Sequence, residues 1–378
     1  MPVSGSGGTP QARHDWMPGD TDGPAAETTP REYKFTFTGS AGEYFRIWIV
    51  NLLLTVVTLG IYAAWAKVRT RRYFYAATHL DGQNFDYLAD PMAILRGNLI
   101  VAAGIIAFIA SDLFRPGLGG AVVLLFYLLV PYLVYLSLRF NAHNSAYRNI
   151  RFRFLGTAGD SYKVYLGIAL LIPLTLGLIF PLWAFHKKRY FYDNLAYGGT
   201  GSRFNGLPGF FYIKYLLAGL MGLSIPLVFV LLNGLLIGVT VSTQGGGADN
   251  IGRLGFMVVV YMLFVYGLIV VIGSLIQQFL YVRLNNYCLN QTRIGGLSLK
   301  GTMEVGEMLY IRLTNLLAIV FSLGLAIPWA KVRRTRYILT HISVVTAGSL
   351  SDFAAAVEAE TPALGESATD IFNIEFGL

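Results

Sequence analysis

The residues able to do metal, redox or acid–base work are few and scattered. His14, His79, His143, His186 and His341 show none of the i,i+3 or i,i+4 pairing that sets two ligands on one helix face, so spacing supplies no metal centre. Cys288 is the single cysteine, which excludes an intramolecular disulfide, a paired-cysteine zinc site and a CxxC redox motif. The phosphate-cradling GxxxxGK[ST], the GxSxG nucleophile turn and a dinucleotide fingerprint are all missing from the chain, which argues against nucleotide-driven transport. No nucleophile and base stand together. The expectation is a non-enzyme with no catalytic, cofactor-binding or metal residue and no cofactor.

What remains is polar residues set into apolar stretches, where a side-chain amide must face protein or water. Asn51 and Asn315 occupy matching places in two similar segments, and Asn233 lies in a third. They can make interhelical hydrogen bonds worth about 0.6–2 kcal/mol, or they can form the polar lining of a cavity. Glu43 and Glu307 stand just before the same two segments, where an acid caps a helix start or pairs with a nearby base. Beyond the apolar residues come Trp65-Ala-Lys-Val-Arg69 and Trp329-Ala-Lys-Val-Arg333, with a looser Trp183-Ala-Phe-His-Lys-Lys-Arg189 between them. Trp65, Trp183 and Trp329 fit headgroup depth as interface anchors, with lysine and arginine snorkelling to phosphates. Lys67, Arg69, Lys331 and Arg333 are the candidate contacts for an anionic headgroup or anionic solute.

The elements that carry these residues are membrane elements. The chain is 54% hydrophobic and 13% charged, whereas about a quarter of a soluble domain is charged. A net charge of +8 concentrated at the ends of apolar segments reads as membrane-flank anchoring and not nucleic-acid binding. Thr58 to Tyr73 returns as Ser322 to Tyr337, and more loosely as Thr175 to Tyr190, which is an internal repeat. Three segments, 45–66, 162–184 and 308–330, are each broken at Leu-Gly. Between them lie two paired apolar stretches, 98–110 with 119–138 and 213–241 with 255–281, long enough for helical hairpins once the first recruits 92–97. Gly234-Leu-Leu-Ile-Gly238 suits close helix packing. Alternation in Lys34–Gly39, Arg151–Gly156 and Tyr73–Leu80, the last followed by Asp81-Gly82, argues for short strands and a hairpin turn.

The expected fold is therefore a polytopic α-helical membrane protein built from A-B-A-B-A internal repeats. Four spans form two hairpins, three broken elements are re-entrant or spanning, and short β-strands lie at the cytoplasmic face. Its parts would be a disordered tail, 1–33; a repeat-built membrane domain, 34–352, divided into 34–150, 151–296 and 297–352; and an acidic tail, 353–378. Basic residues flank every apolar segment except at the tips 111–118 and 242–254, which carry Arg115 and Arg253. The positive-inside rule favours four spans with cytoplasmic tails; seven spans would give inverted repeats of the transporter kind.

Gly39-Ser-Ala-Gly-Glu-Tyr-Phe-Arg-Ile-Trp-Ile-Val-Asn-Leu-Leu-Leu54, Thr58-Leu-Gly-Ile-Tyr62, Trp65-Ala-Lys-Val-Arg69, Leu80-Asp-Gly82 and Phe85-Asp-Tyr87 resemble the YjgN-like family of bacterial inner-membrane proteins. The likeness covers about 34–352, and Ile371–Leu378 also resembles the family's terminus. It departs at Phe185-His186, which replace the Lys-Val of the other blocks. The resemblance implies a multi-pass inner-membrane protein without an established biochemical activity, so no catalytic residue carries over. Of the open functions, a permeation or transport role that is not ATP-driven, for a small or anionic solute or lipid, comes first. A non-transporting scaffold that engages anionic lipid comes second, and a membrane-embedded lipid enzyme third. The expected partners are membrane lipids, anionic ones above all, with no nucleic acid; the oligomeric state is open.

Overall fold

The computed structural model describes residues 30–114, 118–242 and 249–358. Among them, ten short strands close into one antiparallel barrel: β1 (Arg31–Phe37), β2 (Thr78–Leu80), β3 (Gln83–Tyr87), β4 (Ser145–Tyr147), β5 (Ile150–Phe154), β6 (Leu195–Tyr197), β7 (Thr200–Phe204), β8 (Thr292–Ile294), β9 (Leu297–Gly301) and β10 (Ile342–Thr346). Each strand pairs with its chain neighbours, and β1 closes the ring on β10 with Glu32 opposite Val345. Two-residue turns join β2 to β3, β4 to β5, β6 to β7 and β8 to β9. Asp81 and Gly82 have φ of 50° and 73°, and Arg148 and Asn149 have 49° and 62°, the left-handed pairs that suit the twist of a tight hairpin.

Alternation along the strands fills the barrel with side chains. Leu80, Tyr147, Tyr197, Leu297 and Val344 are buried there, and Phe85 stacks on Tyr147 at 4.7 Å between ring centroids. The buried hydroxyls are satisfied strand to strand. Tyr147 donates to Leu80 O at 2.8 Å and Tyr197 to Tyr147 O at 3.0 Å, while burial pushes both phenols above their ordinary pKa. A helix over 350–358 stops the turn end: Leu350, Ala354 and Val357 join the core and Phe353 stacks on Tyr197. At the β1–β10 seam, Glu32 accepts from the Ser343 hydroxyl at 2.6 Å and pairs with Lys300 at 3.2 Å. These contacts hold its carboxyl below the usual range.

Every other connection is a helical hairpin. Between β1 and β2 stand α1 (Ala41–Val57) and α2 (Ala63–Ala76), and between β3 and β4 stand α3 (Pro91–Phe114) and α4 (Leu118–His143). The β5–β6 connection is α5 (Ala158–Tyr162), a π-helical turn Lys163–Ile168, α6 (Ala169–Leu174) and α7 (Phe180–Asp193). The β7–β8 connection is α8 (Pro208–Gly222), α9 (Ser224–Ser242) and α10 (Asp249–Asn290); α11 (Val305–Phe321) and α12 (Ile327–Thr340) complete the set between β9 and β10. Since tight turns and helical hairpins alternate around an antiparallel ring, all five hairpins leave one end of the barrel and all four turns lie at the other. Each hairpin packs on the next, and α1 against α12 closes that order as well.

Among the described residues, four helical stretches are long and apolar enough to cross a membrane: Pro91–Ser111, Leu118–His143, Pro208–Gly234 and Gly255–Asn290. These are the two expected hairpins. The expected fold class is otherwise overturned. A polytopic helical assembly of A-B-A-B-A repeats, with strands as a minor layer, does not describe a chain whose strands close into one barrel and whose helices are insertions between them. Strands of three to seven residues carry too little alternation to announce a barrel. Tyr73–Ala76, read as strand, belongs to α2, and strand begins only at Thr78. The broken elements reverse at Leu-Gly and return to the barrel, and in the first of them the return limb continues through the basic run to Ala76.

Residues 1–29 of the expected 1–33 tail, with His14, the tip 115–117 with Arg115, residues 243–248 and residues 359–378 lie outside the described residues, while Arg31–Tyr33 stand in β1. So do the side chains of 235–254, which include Gly238 and Arg253.

Candidate functional site

The three short hairpins share one construction. Each ends in Thr/Ser-Leu-Gly: Leu59, Leu176 and Leu323 have φ of 50°, 51° and 51°, followed by Gly60, Gly177 and Gly324 at 92°, 85° and 94°. The turn consumes its own backbone groups. Gly60 N donates to Thr55 O at 2.8 Å, and the Thr58 hydroxyl accepts from Tyr62 N at 2.9 Å to start α2. Thr175 and Ser322 do the same for Ile179 N and Ala326 N. Such a tip can sit in hydrocarbon without stranded amides. Its side chains suit that place, with Leu59, Leu176 and Leu323 exposed to 95%, 94% and 95%.

Below the tips, the amides hold the limbs together. Asn51 Nδ2 donates to Ala66 O at 3.4 Å and Asn315 Nδ2 to Ala330 O at 3.2 Å, and both asparagines are buried. The two differ at the carbonyl. Asn315 Oδ1 accepts from Arg333 at 3.2 Å, whereas Asn51 Oδ1 has no partner among the described residues. Asn233 does not join them: it donates to Phe229 O within its own helix.

The candidate cations do not converge on one another. Lys331 reaches Tyr44 Oη at 3.1 Å across the α1–α12 contact and lies over the Phe74 ring. Arg333 turns back into its own hairpin, bonded to Thr314 and lying over the rings of Tyr310 and Trp329. Lys67 and Arg69 are exposed and make no hydrogen bond among the described residues. The limb register, fixed by Asn51 against Ala66 and by Tyr44 stacked on Tyr73, puts Lys67 level with Val50, ~12 Å below the tip at 1.5 Å per residue. Trp65 packs beside Tyr62 toward the tip, Trp183 lies under the Lys187 ammonium at 4.1 Å, and Trp329 is exposed.

At the hairpin feet, Glu43 N donates to the Ser40 Oγ cap and the Glu43 carboxylate lies 3.2 Å from Tyr73 Oη; Glu307 lies 3.9 Å from His341. Asp160, held by Lys163 and Thr157, stays below the usual carboxylate range.

The tyrosines that end the basic blocks were missed as functional groups. Tyr73 Oη receives Ser40 N and donates to Ser40 O; Tyr337 does the same at Glu304, and Tyr190 donates to Thr157 O. Each latches the foot of the return limb to the foot of the outgoing one. Their recurrence as the last residue of each block was the available signal. Arg71 and Arg72, counted in the basic belt, are committed to Tyr87, Asn141 and Ala89 O. Cys288 is buried against Phe185, Phe204 and Phe211.

Comparison with known proteins accords with the YjgN-like resemblance. Inner membrane protein YjgN of Salmonella typhimurium is 28% identical over 346 residues, covering 79% of this chain and 85% of that protein. Inner membrane protein YjgN of Escherichia coli K12 is 30% identical over 156 residues, 39% of this chain and 37% of the relative. No solved structure matches. A family model described as "Bacterial protein of unknown function (DUF898)" matches residues 32–371, and the chain belongs to that family.

Proposed function

We propose that this chain is a non-enzymatic, multi-pass protein of the bacterial inner membrane that engages anionic lipid from the cytoplasmic face. In this reading the barrel and both tails stand in the cytoplasm, the two long hairpins cross the bilayer, and the three short ones enter its near leaflet. The carrying observation is the height of Lys67, ~12 Å below an apolar tip with Arg69 ~3 Å lower, both exposed and making no hydrogen bond among the described residues. That depth approaches half of a roughly 30 Å hydrocarbon core, which leaves the cations within snorkelling distance of phosphates. Lys331 stands at the corresponding level in the third hairpin. The relatives' names support the membrane, and the basic belts on the barrel side support the orientation.

Permeation is the competing reading, and it is less well supported. The barrel axis is packed with aromatic side chains and stopped by 350–358, and the amides of Asn51 and Asn315 are engaged with helix carbonyls. The deciding experiment reconstitutes the purified chain in nanodiscs with spin-labelled phosphatidylglycerol or phosphatidylcholine and measures the motionally restricted fraction of each. Preferential association of phosphatidylglycerol is expected, falling about five-fold for each effective charge removed, the equivalent of ~1 kcal/mol, in Lys67→Gln and Arg69→Gln. Equal association of both lipids would refute the proposal, and a solute flux lost in Asn51→Ala and Asn315→Ala without loss of fold would favour permeation.

A further inference from the structure

The two kinds of hairpin differ in reach, and they rise from the same end of the barrel. The long ones contribute the four stretches able to cross a membrane. The short ones stop: α1 and α11 have 17 residues each, and the part above Lys67 reaches ~12 Å against about 15 Å for one leaflet's share of the core. The near leaflet therefore receives both limbs of all five hairpins, and the far leaflet only the limbs of two. With each helix about 10 Å across, six additional limbs occupy about 500 Å² more of the near leaflet than of the far one.

Two further features make this difference a fixed property and not a matter of loose fingers. The hairpins pack side by side in a closed order, α1 on α12, α2 on α3, α4 on α5, α7 on α8 and α10 on α11. The tips also keep leucine where the backbone resists it: left-handed φ costs a leucine roughly 1–2 kcal/mol, and glycine or asparagine would take that conformation more easily. Leucine at Leu59, Leu176 and Leu323 is the choice that holds each tip in hydrocarbon.

We propose that this protein acts as a wedge in the bilayer, broad in the leaflet beside the barrel and narrow in the other, and that it binds preferentially to, and stabilises, membrane convex toward the barrel. A body inserted mainly in one leaflet expands that leaflet, and the membrane relieves the mismatch by bending toward it. The inference rests on insertion of the short hairpins, as proposed above, but not on their preference for anionic headgroups.

The test uses the full chain, labelled on a cysteine introduced as Gly199→Cys at the turn end of the barrel, with Cys288→Ser. It is reconstituted into giant vesicles from which a narrow tube is drawn, and an impermeant quencher in or out of the vesicle separates molecules with the barrel outward from those with it inward. The expected tube-to-vesicle density ratio is above one for barrel-outward molecules and below one for barrel-inward molecules. The same ratio in both orientations overturns the wedge. Sorting is measured in pure phosphatidylcholine as well as with phosphatidylglycerol: opposite sorting that persists in the neutral lipid upholds the wedge even if headgroup selectivity fails. In the triple variant Leu59→Asn, Leu176→Asn, Leu323→Asn, which accepts left-handed φ but weakens insertion, the two ratios should move toward one. If that variant does not fold, the orientation comparison in the native-tip protein still decides.

Discussion

At the scale of single residues, two matched asparagines carry unequal loads. Asn315 bonds Ala330 O and receives Arg333, whereas Asn51 bonds Ala66 O alone and leaves its Oδ1 unpartnered. Asn315→Ala should therefore cost about 1–2 kcal/mol and Asn51→Ala less, measured by unfolding in detergent micelles. Equal losses would show that the arginine contact adds nothing. Glu32 gives a pH signature. Its carboxyl is held below the usual range by Ser343 and Lys300, so its contribution is present above the unfolded pKa and fades as pH falls through the lower folded value. Amide exchange in β1 should accelerate over that acid window, and Glu32→Gln should flatten the response there. The asparagines were visible in the sequence because an amide in an apolar run is conspicuous. Their partners were not, because a bond to a carbonyl on the facing limb depends on where the chain reverses.

Among the elements, the Leu-Gly breaks were legible as interruptions but not as reversals. The hydroxyl of Thr58, Thr175 or Ser322 starting the next helix is a local device that no apolar count reports. A bimane probe at Leu323→Cys, with Cys288→Ser, should be quenched by lipids brominated along the near leaflet's acyl chains and protected from aqueous iodide. Quenching by iodide alone would put the tip in water and remove the basis for insertion. The foot of each hairpin makes a separate prediction. Tyr337→Phe removes a hydroxyl that accepts from Glu304 N at 2.8 Å, and a stranded donor costs about 1–3 kcal/mol if it stays buried. Exchange at the start of α11 should rise while the barrel core is unchanged.

For the whole molecule, the barrel stayed hidden because its evidence is non-local. Thr78–Leu80 and Thr292–Ile294 are strands of three residues, and their meaning lies in pairing across intervening helices. The arrangement fixes sidedness: single cysteines replacing Gly82, Asn149, Gly199 and Gly296, all in the tight turns, should be modified from the same side of the membrane by an impermeant maleimide. Reaction of any one from the opposite side would contradict a barrel with all its hairpins at one end. The ring closure also sets an order of assembly. β1 near the start of the chain finds its last neighbour in β10, near residue 346. While ribosomes are still making the third short hairpin, β1 has β2 on one edge and an open edge on the other. The hairpins can therefore fold one after another during synthesis, but the barrel cannot seal until β10 has been made. Loss of β10 would leave two unpaired sheet edges available to other chains, so premature termination before residue 342 should yield inserted but association-prone protein.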